Sequence, residues 1–169
     1  MEQNNLKHHR IVGIHPGASK KEKLWEYEKF AEVVDYLSLK GYQPVLIEGP
    51  GDFNTVRDII LKCNTKPPRV KTSLKNVVAF ISRCKLIICL DSSAVHIAAA
   101  VGTPVIALYG PQSPDYTKPF SNNIEIIWNE NLHCRPCEYG KCKYEFNLCM
   151  QSISSDQVIN KIDKFLATV

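Results

Sequence analysis

The run Leu86-Ile87-Ile88-Cys89-Leu90 is apolar at five successive positions. Alternate residues of a strand point to opposite faces, so a strand built from this run is buried on both sides. Only a sheet covered on both faces accepts such a strand. The rest of the chain repeats the same grammar of short apolar runs and helical periods. Ile11 to His15 reads as a strand closed by Pro16-Gly17, Pro44 to Ile47 as a second ended by Gly49-Pro50-Gly51, and Pro104 to Leu108 as another buried strand. Ile124 to Trp128 adds a further one. Between them, apolar residues recur at helical spacing: Phe30, Val33, Val34, Leu37 and Leu39 in a helix running from Trp25 and stopped by Gly41. Phe53, Val56, Ile59, Ile60 and Cys63 make a second, and Leu74, Val77, Val78, Phe80 and Ile81 a third. Asp91-Ser92-Ser93 opens a fourth over Ala94 to Val101, ended by Gly102, and Asp156 to Leu166 closes the chain. Lys66-Pro67-Pro68 is expected to be loop. The expected fold is α/β, a doubly wound, mostly parallel, Rossmann-like sheet of about six strands.

With 169 residues the chain is one domain in size, and 44% hydrophobic and 22% charged residues suit a globular protein. Residues 1–10 are expected to form a disordered or linker terminus and residues 11–169 the domain. No stretch reaches the roughly 20 apolar residues of a membrane span. The polar start, with Lys7, His8, His9 and Arg10, lacks the apolar core of a signal peptide, so a cytoplasmic location is expected. A net charge of +4 suits an anionic partner but is not the clustered basic stripe of a nucleic-acid binder, and the basic residues do not interleave with aromatics.

Ligands of open parallel sheets bind outside the carboxyl ends of the strands. Three loops there hold suitable atoms. His15-Pro16-Gly17-Ala18-Ser19 leads to Lys20, Lys21 and Lys23; small residues let backbone approach a phosphate, and hydroxyl and ammonium groups stand by, though a plain turn with solvated lysines accounts for the same residues. Asp91-Ser92-Ser93-Ala94-Val95-His96 opens a helix, whose unpaired N–H groups attract anions. Asp91 or Ser92 could instead simply cap it, and His96 could be a structural residue. Tyr109-Gly110-Pro111-Gln112-Ser113-Pro114 could wall a pocket or serve only as a rigid turn. Asp52, after the second strand, suits ribose hydroxyls or a helix cap equally well. Without Gly-x-Gly-x-x-Gly or a Walker A motif, neither a dinucleotide oxidoreductase nor a P-loop NTPase is supported.

Taken in series, His15-Pro16-Gly17-Ala18-Ser19 with Lys23-Leu24-Trp25, Asp91 to Ala100, Gly102-Thr103-Pro104 and Tyr109-Gly110-Pro111 resemble the C-terminal domain of the heptosyltransferases, glycosyltransferase family nine. The resemblance implies half of a two-domain GT-B fold holding a nucleotide-sugar donor, ADP-heptose or similar. Such enzymes transfer heptose to a lipid-linked glycan, the lipopolysaccharide inner core, at the cytoplasmic face of the inner membrane. The reaction is inverting and needs no metal or other cofactor. Carried over by position, Ser19 and Lys23 contact the diphosphate, Asp91, Ser92, Ser93 and His96 line the sugar-diphosphate site, and Asp52 holds the ribose. The family's catalytic base and acceptor site belong to an N-terminal domain beyond this stretch, so no catalytic residue is expected here, and turnover by this stretch alone is not. Two positions depart from the family pattern: Ser93 stands where glycine is usual, and Glu26 where proline follows the tryptophan. The alternative is a non-catalytic nucleotide-binding module that keeps the fold.

Seven cysteines are many for a cytoplasmic domain, and Cys134, Cys137, Cys142 and Cys149 crowd one segment. Cys134-x-x-Cys137 has the spacing of a zinc knuckle, but the second pair is set wider. Reduced thiols are the expectation, with structural zinc as its competitor and no metal in the donor site.

Overall fold

A computed structural model describes residues 10–71, 73–134, 137, 142–144 and 147–167. Of the expected terminus at residues 1–10, residues 1–9 lie outside them. Six strands, β1 (Ile11–His15), β2 (Gln43–Glu48), β3 (Arg69–Lys71), β4 (Leu86–Leu90), β5 (Val105–Leu108) and β6 (Ile124–Ile127), form one sheet in the order β3-β2-β1-β4-β5-β6. Every neighbouring pair is parallel, with Val12 opposite Leu86 and Ile14 opposite Ile88 at the centre. This is the doubly wound α/β order, reversing direction between β1 and β4.

Two apolar layers follow from strand alternation. On one face Val12, Ile14, Leu46, Leu86, Ile88, Leu90, Ile106 and Leu108 pack beneath α1 (Tyr27–Leu39), α2 (Phe53–Lys62) and α7 (Ser155–Ala167). On the other, Val45, Ile47, Ile87, Cys89, Val105 and Ala107 meet α3 (Leu74–Ile81) and α4 (Ser93–Val101). Burying each such aliphatic side chain contributes about 1.5–3 kcal/mol, which is why the all-apolar β4 takes the middle of the sheet.

Helix ends follow local chemistry. Gly102 adopts a left-handed φ of 76° that a side chain would strain, and so terminates α4; Gly41, at φ 78°, does the same after α1. The first helix begins two residues later than the periodicity implies. Trp25 lies outside it, wholly buried, with its indole N–H donating to the Ile153 carbonyl at 3.0 Å and its ring edge-on to Phe30 at 4.8 Å. Glu26 precedes α1 with φ −65°, the angle a proline ring imposes, so the departure from proline there leaves the backbone path unchanged. Leu39, expected on the apolar face, is 86% exposed, because the helix turns it away from the sheet at its last residue.

Three elements were not expected. β3 contains one apolar residue, Val70, and is held by the buried Glu48 carboxylate, which takes Arg69 at 3.3 Å and Lys71 at 3.1 Å. The short helices α5 (Pro114–Thr117) and α6 (Leu148–Gln151) are four residues each, too brief to show a period.

Candidate functional site

The order reversal between β1 and β4 splays the loops leaving their carboxyl ends, and a cavity of about 280 Å³ opens there. Its walls are His15, Gly17, Ala18 and Ser19 after β1, Gly49, Pro50 and Asp52 after β2, and Ser92 and Ser93 after β4. Ser19, Asp52, Ser92 and Ser93 are thus brought together from three loops. A larger cavity, about 560 Å³, lies against the amino end of β6 and is lined by Lys118, Pro119, Phe120, Ile124 and Ile126 among others. It has no helix start and one charged residue, so the smaller cavity is the better match to a polyanion.

Lys23, Asp91 and His96 stand outside the cavity lining. The Lys23 ammonium is 2.5 Å from the Asp91 carboxylate, and the two side chains are 13% and 6% exposed. Lys23 closes the turn Lys21–Lys23, and Asp91 directly follows β4, so a residue from each side of the reversal meets at the same end of the sheet. The pair is locally neutral, which lowers the field Lys23 would exert on a phosphate. His96 is exposed, one turn into α4. The third loop turns inward instead: Tyr109 is buried, and a Cβ on Gly110 would come within 2.4 Å of the Met150 sulfur. Burial, with the Asp91 carboxylate adding to it, pushes the Tyr109 phenol up to about 12.

Both helices that point their starts at the cavity have good capping residues that do not cap. Asp52 precedes α2 and Ser92 precedes α4, and neither makes a side-chain capping bond. The Asp52 carboxylate accepts from the Gly49 N–H at 3.1 Å and stands 3.7 Å from His15 Nε2. The Ser92 hydroxyl lies 3.4 Å from His15 Nδ1. The imidazole, from the last residue of β1, therefore stands between the two. Burial pushes its pKa down, against the opposing pull of Asp52 and of the His15 and Gly17 carbonyls, so the neutral ring is favoured.

Two glycines make room for this arrangement. A Cβ on Gly17 would lie 2.0 Å from an Asp52 carboxylate oxygen, and one on Gly49 would lie 2.7 Å from the same atom. Sequence reading assigned no separate role to His15, Gly17 or Gly49. In the sequence Gly17 marks a turn whose small residues let backbone approach a phosphate and Gly49 marks a turn, and no linear spacing shows that Asp52, far from the first and close to the second, needs the empty space at both.

Cys137 and Cys149 both come close to the Gly110-Pro111 turn, the Cys137 N–H donating to the Pro111 carbonyl at 2.9 Å. Cys134, Cys137 and Cys142 are half-buried and Cys149 is buried in α6. Among the described residues no group of three or more His, Cys, Asp or Glu could hold a metal ion. Burial pushes the thiols of Cys63 and Cys84 up to about 11 and about 12, and that of Cys89 upward as well, which makes them inert core residues. Among the described residues no helix is long and apolar enough to cross a membrane.

The family model described as glycosyltransferase family 9 (heptosyltransferase) matches residues 1–147. Lipopolysaccharide heptosyltransferase 3 of Escherichia coli K12 is 36% identical over 166 residues, covering 95% of this chain and 47% of that protein. Among solved structures, a family 9 glycosyl transferase from Veillonella parvula superposes with a TM-score of 0.80 at 30% identity, covering 94% of this chain and 47% of that one. E. coli ADP-heptose lps heptosyltransferase II does so at 0.80 and 29% identity, over 94% of this chain and 46% of its own. The chain thus spans about half the length of the curated relatives it matches.

Proposed function

From the premise that the chain belongs to glycosyltransferase family 9, the heptosyltransferases, we propose that it is the donor-binding half of a transferase that moves a sugar from a nucleoside diphosphate to a lipid-linked glycan of the lipopolysaccharide core or a related structure. The observation that carries the reading is the cavity between β1 and β4, where the starts of α2 and α4 converge with three hydroxyls and one carboxylate. A helix start offers N–H donors and about half a positive charge, which suits a diphosphate. The solved relative from E. coli is named for ADP-heptose, and the same donor class is the expectation here.

Each residue has a role in this reading. Ser19, Ser92 and Ser93 donate to phosphate oxygens, and the first N–H groups of α4 take the charge that develops as the glycosidic bond to phosphate breaks. Asp52 accepts from the ribose hydroxyls. Lys23, held by Asp91, acts on the diphosphate only as Asp91 exchanges that ammonium for another donor, a sugar hydroxyl being the natural one. His96 reaches the sugar-diphosphate from one turn further along α4. The acceptor hydroxyl and the base that deprotonates it come from the other half of the full transferase, working at the cytoplasmic face of the inner membrane. No metal or cofactor is part of this mechanism.

Calorimetric titration of the chain with ADP, AMP, UDP and ADP-heptose tests it. The expectation is saturable binding of ADP and ADP-heptose with AMP weaker by at least about tenfold, the value of a charge-assisted contact to the second phosphate. Equal affinity for AMP and ADP, or none for any of the four, would sink the reading.

A further inference from the structure

We infer that His15 is a positioning residue: its ring draws Ser92 and Asp52 off the helices they precede and holds both in the cavity, leaving the starts of α4 and α2 open to an anion. The inference rests on the donor-site reading above and adds a residue to it.

Serine and aspartate at the position before a helix ordinarily turn back and accept from the second or third N–H of that helix. Here both decline that bond, at two helices in the same cavity. The common feature is the imidazole between them, with Ser92 Oγ 3.4 Å from Nδ1 and the Asp52 carboxylate 3.7 Å from Nε2. With its proton on Nε2 the neutral imidazole turns that N–H toward the Asp52 carboxylate, at a distance longer than a hydrogen bond, and offers Nδ1 to the Ser92 hydroxyl. Its side chain is 13% exposed, so its ring is fixed by its surroundings rather than by solvent. The glycine pair completes the device: with Gly17 and Gly49 clearing the space, the carboxylate lies along the loop, takes the Gly49 N–H at 3.1 Å and stays clear of the α2 start. Among the described residues, His15 makes no hydrogen bond to a backbone N–H of α2 or α4. It acts through its two neighbours.

Without the ring, Ser92 is released to cap α4 and Asp52 is left with the Gly49 N–H as its tether away from α2, so an anion must compete with a hydroxyl at one helix and with a less firmly held like charge at the other. The loss in binding therefore depends on Ser92 and Asp52 being present. Loss of packing around the ring would not.

Calorimetric titration of the chain with ADP separates these cases. His15→Ala is expected to weaken ADP about tenfold, the value of one well-made hydrogen bond at a charged ligand, and His15→Gln, which keeps a donor and an acceptor, to recover most of it. In a Ser92→Ala/Asp52→Asn background, His15→Ala is expected to change ADP affinity less than about twofold, because the groups it acts through are gone. A ligand-independent check is the titration of the His15 ring followed by NMR. Asp52→Asn removes a carboxylate that favours the protonated ring, so the midpoint should fall. An equal effect of His15→Ala in both backgrounds, or a His15 midpoint unmoved by Asp52→Asn, would overturn the inference while leaving the donor site in place. Failure of the wild-type chain to bind ADP would overturn the donor-site reading, and this inference with it.

Discussion

Asp91 and Lys23 set the sharpest demand at the scale of the residue. An ammonium 2.5 Å away offsets the burial of the Asp91 carboxylate, which is 6% exposed. Removing one partner leaves an uncompensated buried charge, so Lys23→Met should cost about 3–5 kcal/mol in urea unfolding, with Lys23→Met/Asp91→Asn less damaging than Lys23→Met alone. Gly17 is demanding for a different reason. Gly17→Ala puts a methyl group 2.0 Å from the present site of an Asp52 oxygen, so that carboxylate must leave. ADP affinity should drop by about tenfold or more, and Gly17→Ala/Asp52→Ala should refold to normal stability while still binding ADP poorly. His15 adds a pH dependence. Its pKa is lower in the folded protein than the ordinary 6.5, chiefly through burial, so acid favours the unfolded chain between those two values. Stability should fall as pH drops below about 6.5 and level off beneath the folded-state value, and His15→Gln should flatten that part of the profile. These residues were unequally legible. Ser92 and Asp52 stood out in sequence because their types and positions suit a cap, yet the structure has them turned from it. The geometry of His15, Gly17 and Gly49 exists only once β1 and β2 lie side by side.

Elements were legible where burial was continuous. Leu86–Leu90 and Val105–Leu108 are apolar at nearly every position because both faces of those strands are covered. Ser93–Val101 declared itself through a polar start and a glycine stop. Arg69–Lys71 did not, since an edge strand alternates charge with a single valine and owes its place to Glu48, at the end of β2 and separated from it in sequence by α2. The charged flanks also keep that edge from pairing with another chain. Glu48→Ala should loosen β3 selectively: hydrogen exchange at the amides of β3 should speed up by about tenfold or more while those of β4 hold, since two cations lose their shared buried partner. Uniform acceleration across the sheet would instead mean that Glu48 supports the whole fold. At the other end, Lys161 of α7 pairs with Glu125 of β6, which ties the closing helix across the sheet edge.

At the scale of the whole molecule, the sheet reverses its strand order between β1 and β4, and among the described residues the starts of α2 and α4 meet a cavity there. Net charge of +4 favours the approach of a diphosphate, while the second cavity near Phe120 has neither helix starts nor a carboxylate for ribose. The chain spans about half the length of its curated relatives, and on the proposed reading Ser19, Asp52, Ser92 and Ser93, which it brings together at one cavity, hold the leaving group. In the proposed site ADP lies between β1 and β4. Backbone amide shifts of the isotopically labelled chain, followed while ADP is added, test it most directly. Saturable changes concentrated at His15–Ser19, Gly49–Asp52 and Ser92–Ser93 are expected of this placement, with Ser121–Ile126 unmoved. Saturable changes centred on Ser121–Ile126, with His15 and Ser92 undisturbed, would contradict it.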